Sequence, residues 1–174
     1  MAGVSVSLAQ AEVLVRKARE EGKRVVLANG HFDVLHVGHV RYLEGARAAG
    51  DFLVVGVNGD ASTARRKGSG RPILPAAERA EIVAALEGVD AVVVFDADDV
   101  SELLERLRPQ VHAKGTDYTA ESVPEREVSL RMGCETSIVG DPKDHSTRDF
   151  LSRVLDCYDA AGKRKGYPGR VARV

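Results

Sequence analysis

Tryptophan is absent from this 174-residue chain, and aromatic residues of all kinds make up only 5% of it. So few rings leave no platform on which nucleic-acid bases would stack. Cysteine is scarce as well. Cys134 and Cys157 lie far apart and belong to no C-x-x-C pair, which argues against a disulfide framework or a thiolate zinc site. An excess of charge of either sign is also missing: Lys plus Arg is 25, Asp plus Glu is 26, and the formal net charge is −1. A balanced chain has no global electrostatic footprint for nucleic acid, so any anion must be held by a local basic site. No apolar run approaches membrane-spanning length. The first residues lack a basic n-region, and Gln10 and Glu12 interrupt their apolar stretch, unlike a signal peptide. The expectation is a cytoplasmic protein with neither a nucleic-acid nor a membrane partner.

What the chain does have is alternation. Val25–Ala28, Phe52–Val57 and Ala91–Phe95 are continuous apolar runs rich in β-branched residues, the pattern of parallel strands covered on both faces. Val111–Ala113 and Thr136–Val139 are weaker strand candidates. Between them lie helical stripes: Val40, Leu43 and Ala46 before Gly50; Ile82, Val83 and Leu86 after Pro75; Val100, Leu103, Leu104 and Leu107 before Pro109; and Phe150, Leu151 and Val154 after Ser146. A further helix, from about Leu8 to Glu21, precedes the first strand. The fold class is therefore α/β, a single Rossmann-like open parallel sheet of about five strands with helices on both faces. One domain is expected over residues 1–161, with a basic tail over 162–174. That tail has five basic and no acidic residues and reads as a solvated, partly disordered end. The functional alternative is an arm folding over an anion or a neighbouring subunit.

The informative segment is Asn29 to His39, which follows the first strand and opens the next helix. Ligands of open α/β sheets bind beyond the carboxyl ends of the strands, where helix N-termini offer unpaired N–H groups to phosphate. Gly30 and Gly38 allow close backbone approach. His36 and His39, three apart, share one side of a first helical turn. They suit a phosphate, although metal ligation with Asp33 and a purely structural pair are the alternatives.

Gly30-His31-Phe32-Asp33-Val34-Leu35-His36-Val37-Gly38-His39 resembles the G-x-F-D-x-x-H-x-G-H signature of cytidylyltransferase-like nucleotidyltransferases. The resemblance runs from about Gly22 to Val154 and is strongest to the heptose-1-phosphate adenylyltransferase type, the second domain of bifunctional heptose kinase/adenylyltransferases. Val57–Thr63, Lys67-Gly68 with Arg71-Pro72, Ala85–Asp90 and Lys114-Gly115-Thr116-Asp117-Tyr118 carry it. Two arginine-bearing motifs of glycerol-phosphate cytidylyltransferases are missing. The sequence departs from the pattern at His31, where a small residue, Cys or Thr is common, and at Arg148, which stands for the second Thr of S-T-T.

The resemblance implies transfer of a nucleotidyl group from ATP to a sugar 1-phosphate such as D-glycero-D-manno-heptose 1-phosphate, releasing pyrophosphate. It implies catalytic roles for His36, His39 and Lys67. The nucleotide would meet Gly30, His31, Phe32, Gly38, Gly115, Asp117, Ser146 and Thr147, and the sugar phosphate Asp33, Arg71, Arg79 and Lys114. Mg²⁺ would enter mainly on the nucleotide phosphates, with no protein metal site. A separate kinase would supply the sugar phosphate, and homodimerisation is an expectation of the family. A cytidylyltransferase for an alcohol phosphate and a non-catalytic nucleotide-binding module are the alternatives. Several of these positions also have plain structural readings. Ser146 with Asp149 is a capping pattern, Gly115 with Asp117 favours a turn, and Arg65 to Arg71 around Gly68-Ser69-Gly70 reads as a surface loop.

Overall fold

The computed structural model describes residues 3–142 and 145–158. The expected basic tail therefore lies outside the described residues.

Six strands form one parallel sheet: β1 (Val4–Ser5), β2 (Val25–Gly30), β3 (Phe52–Asn58), β4 (Ala91–Phe95), β5 (Val111–Gly115) and β6 (Glu135–Val139), in the spatial order β1-β4-β3-β2-β5-β6. The apolar runs form three adjacent inner strands, β2, β3 and β4, each with a neighbour on both sides, as their continuous hydrophobicity requires. The sixth strand is the addition to the expected five. β1 is two exposed residues that pair with Ala91 and Val92, so no apolar run announces it.

Helices cover both faces, which is why these strands do not alternate polar and apolar residues. On one face α2 (Val37–Ala48) and α4 (Ala76–Ala84) place Leu43, Ala46, Ala80 and Val83 against Val26, Ala28, Val55 and Val57. On the other, α1 (Leu8–Glu20), α5 (Ser101–Leu107) and α6 (Arg126–Arg131) pack Ala11, Val15, Leu103, Leu104 and Leu107, with Val128 at the margin, against Val25, Leu27 and Val54. The last helix, α7 (Thr147–Asp156), buries none of its residues.

The segment read as a loop is partly helical. α3 spans Asp60–Lys67, so Arg65, Arg66 and Lys67 form its last turn, and only Gly68 to Pro75 remains irregular. α3 carries no apolar stripe; its buried residues are Ser62 and Thr63.

From β2 the chain builds β3 and β4 on one side and then crosses to lay β5 and β6 on the other. The connections on the two sides of β2 diverge at that reversal, opening a crevice at the carboxyl ends of β2 and β5.

Candidate active site

A cleft of about 1130 Å³ occupies this crevice. Every site residue expected from the sequence lines it except Arg79.

The loop from β2 to α2 forms its floor. Phe32 and Val34 hold φ of 49° and 62°, the left-handed region that L residues avoid, and Val34 is β-branched. Such strain persists where surrounding contacts overdetermine the backbone. Those contacts are visible. The buried Asp33 carboxylate accepts from the backbone N–H groups of Ile73 (2.9 Å) and Leu74 (3.1 Å) and pairs with Arg71 Nε at 3.0 Å. Its carbonyl accepts from Thr147 Oγ1 at 3.0 Å. Asp33 thus ties the loop to the segment after α3 on one side and to α7 on the other.

At the start of α2 the rings of His36 and His39 stack with centroids 3.8 Å apart. Gly38 makes this possible, because a Cβ there would sit 3.1 Å from the His36 ring and 3.4 Å from His145. The His36 backbone N–H donates to His39 Nδ1 at 3.3 Å. That bond fixes the neutral tautomer with a proton on Nε2. Burial, then the charges of His36 and Lys67, push the His39 pKa down to about 3. Burial and the neighbouring His145 also lower His36. At pH 7 the pair therefore supplies neutral N–H donors, while positive charge comes from Arg66, Lys67, Arg71 and Arg148 around the cleft and from the N-termini of α2 and α7.

Ser146 caps α7, accepting from the Asp149 N–H at 3.1 Å and donating to its carboxylate at 2.6 Å. On the far side of β2, Lys114 is buried, with Nζ 3.3 Å from Glu125 and 4.9 Å from the centroid of the Tyr118 ring. Thr116 Oγ1 donates to the Asp141 carbonyl at 2.6 Å, joining the loops after β5 and β6. Asp117 lines the cleft between them.

Arg79 is the correction. It was expected on the sugar phosphate, yet it is 0% exposed and does not line the cleft. Its guanidinium donates to the carbonyls of Leu74 (2.8 Å), His31 (2.6 Å) and Asn58 (2.7 Å) and to Asp60 Oδ1 (2.7 Å). A planar five-donor fork suits such a junction. Arg79 braces the loops that carry the site from beneath.

Sequence reasoning marked Asn29 only as the start of the informative segment, without a role, and missed Tyr42 and Glu125. The Tyr42 hydroxyl accepts from the Asn29 N–H (3.2 Å) and donates to the Ala113 carbonyl (2.8 Å), splicing β2 to β5 at the crevice. Burial raises its pKa beyond the usual phenol range. The only sequence signal was a tyrosine on the apolar side of an α2 turn. Glu125 lies 11 residues from Lys114 and had none.

Among known proteins, the family model described as cytidylyltransferase-like matches residues 27–143. The "Bifunctional protein HldE" of Geobacter sulfurreducens is 47% identical over 145 residues, covering 83% of this chain and 30% of that protein. The protein of the same name from Alcanivorax borkumensis is 44% identical over 151 residues, covering 87% and 32%. This chain spans about a third of the length of these relatives. The crystal structure of the lipopolysaccharide core biosynthesis protein from Thermoplasma volcanium superposes with a TM-score of 0.59 at 28% identity, covering 70% of this chain and all of that one. With its stacked His36–His39 pair at the reversal point of a parallel sheet, inside the stretch the family model matches, the chain belongs to the cytidylyltransferase-like family.

Proposed function

We propose that this chain is a sugar-1-phosphate adenylyltransferase, joining D-glycero-D-manno-heptose 1-phosphate to ATP and releasing pyrophosphate. The observation that carries the reading is the neutral, stacked His36–His39 pair, which shares one cleft with Lys67, Arg71, Ser146 and Thr147. The similarity to the HldE relatives supports the adenylyl and heptose parts of it.

A phosphate monoester is largely dianionic at pH 7, so the acceptor needs no general base and attacks the α-phosphorus directly. The task left to the protein is to hold two mutually repelling anions in line and to stabilise charge on the leaving pyrophosphate. His39 Nε2–H and the first N–H groups of α2 and α7 supply preorganised donors, and Lys67 and Arg71 supply charge in the same cleft. The Asp33–Arg71 pair keeps the guanidinium oriented before substrate arrives. Mg²⁺ belongs to the proposal as the nucleotide's counter-ion. Among the described residues no group of three His, Cys, Asp or Glu side chains is placed to hold a metal, so phosphate oxygens and water would be its ligands. A kinase activity that makes the sugar phosphate and a homodimeric assembly complete the proposal.

The test is pyrophosphate release with heptose 1-phosphate and either ATP or CTP. ATP should be favoured at least tenfold in kcat/KM, since a site that hydrogen-bonds one base edge leaves buried groups unpaired with the other. Equal use of CTP would remove the adenylyl assignment. Nucleotide binding without release from either would support a non-catalytic module.

A further inference from the structure

Arg66, Arg71 and Arg148 line the cleft, and two of these arginines are occupied. Arg71 pairs with Asp33 at 3.0 Å, and Arg66 donates to the Asp98 carbonyl from Nε (3.0 Å) and Nη2 (2.8 Å). Lys114 is held by Glu125 at 3.3 Å. Arg148, exposed at the second residue of α7, is different: no hydrogen bond or ion pair ties its guanidinium to any of the described residues.

Its place in the fold is fixed by its neighbours. Thr147 Oγ1 donates to the Asp33 carbonyl at 3.0 Å, and a Cβ on Gly38 would meet the His145 Cβ at 3.4 Å. α7 therefore begins beside the end of α2 that carries the His36–His39 pair. The hydroxyls at that junction are already committed. A hydroxyl has one proton to give, and neither a carboxylate nor a carbonyl can donate in return. Ser146 must therefore donate to the Asp149 carboxylate, at 2.6 Å, and Thr147 to the Asp33 carbonyl. Both oxygens offer an incoming phosphate only lone pairs. The donors left at the start of α7 are its first backbone N–H groups and the Arg148 guanidinium. A cation in the first turn of a helix also faces the positive end of the dipole. The Asp149 carboxylate beside it is bonded to Ser146 and forms no pair with it. An anion seated there would favour the guanidinium and the helix end together.

We infer that Arg148 binds a phosphate group of the substrates, and that its guanidinium, not the hydroxyls of Ser146 and Thr147, makes the side-chain contact with phosphate at the start of α7.

The inference rests on the nucleotidyltransferase reading, in which every substrate and product carries phosphate. A planar fork can meet two phosphate oxygens at once, which a single O–H cannot. Arg148 is also where the sequence departs from the S-T-T pattern, so the contact is particular to this chain.

The experiment compares wild type, Arg148→Ala and Arg148→Lys in steady-state pyrophosphate release and in calorimetric titrations with ATP, pyrophosphate and heptose 1-phosphate separately. Arg148→Ala should lower kcat/KM roughly 10–100-fold, the scale of a hydrogen bond to a charged group, with the urea midpoint unchanged because the side chain is exposed. Arg148→Lys, which keeps the charge without the fork, should fall between. Weaker binding of ATP and pyrophosphate would place the contact on the nucleotide, and weaker binding of heptose 1-phosphate on the acceptor. A lower kcat with all affinities intact would place it on charge that develops during transfer. A kcat/KM for Arg148→Ala within twofold of wild type, or a loss accounted for by unfolding, would overturn the inference and leave the functional reading standing. So would a loss of affinity in Ser146→Ala or Thr147→Val, each shown to be folded, as large as that in Arg148→Ala. If the wild type releases pyrophosphate from no pairing of nucleotide and sugar 1-phosphate, the functional reading falls and takes this inference with it.

Discussion

The same strands hold two kinds of chemistry, separated by one or two residues. In β2, Val25 to Ala28 are sealed, and Asn29 and Gly30 open to the cleft. In β3 the change falls at Asn58, and in β5 at Lys114 and Gly115. Parallel register sets Asn29 and Gly30 level with Lys114 and Gly115, while Asn58 lies one residue beyond the Gly30–Val57 pair, so the polar ends of three strands gather at one edge. The interior has almost no polar content to spend on function, and the edge contributes little apolar packing. The expected division is that interior substitutions change stability and edge substitutions change turnover.

Arg79 is the residue best placed to break that division, because it belongs to the edge in sequence and to the interior in burial. Arg79→Met should cost about 3–5 kcal/mol of stability in urea unfolding, since each buried carbonyl that loses its donor costs about 1–3 kcal/mol. It would remove a donor from the carbonyls of His31, Asn58 and Leu74 together. A loss below 1 kcal/mol would show that the junction is not structural. Leu27→Ala, wholly interior, should cost about 2–5 kcal/mol while leaving kcat of the remaining folded protein within about twofold. His39→Ala is its counterpart at the edge: turnover should fall about 10²–10³-fold, the effect of losing one preorganised donor, with the urea midpoint nearly unchanged. A variant that unfolds would place His39 with the interior.

The smallest effect concerns His112, the imidazole that crosses the boundary. It is 0% exposed, its Nε2 lies 3.2 Å from Asn29 Oδ1, and burial followed by the Lys114 charge pushes its pKa to about 3. An unfolded chain protonates near pH 6.5. Between pH 6.5 and 3 the unfolded state therefore holds the extra proton, and stability falls as the pH falls. His31 and His39 act in the same direction. His112→Gln should make the decline in urea midpoint between pH 7 and 4 shallower, and an unchanged slope would exclude His112 as a source.

The central strands were legible because burial on both faces requires unbroken apolar runs. The cleft floor was legible because two glycines and two histidines at fixed spacing have few other uses after a strand. β1 escaped because two exposed residues, Val4 and Ser5, carry no pattern, and α3 because Ser62 and Thr63, not apolar side chains, are what it buries. Arg79 was misplaced for a definite reason: an arginine near a helix start looks like a surface cation until the four acceptors around it are known. Those acceptors come from three separate segments, and spacing along the chain says nothing about their convergence. Tyr42 and Glu125 share that difficulty.

The reversal in strand order also sets a timetable for folding. β2 ends at residue 30 and its neighbour β3 at 58, but β5, the neighbour on the other side, begins only at 111. Closing the longer loop costs more chain entropy, and such non-local pairing slows folding. The half built from β2, β3 and β4 is expected to form first, since the crevice needs β5 docked across the reversal. The expectation for refolding is that most of the hydrophobic interior gathers before the binding site does. In pulsed hydrogen exchange after dilution from urea, amides of β2 and β3 should gain protection before those of β5 and β6, and simultaneous protection would show that the two halves assemble together.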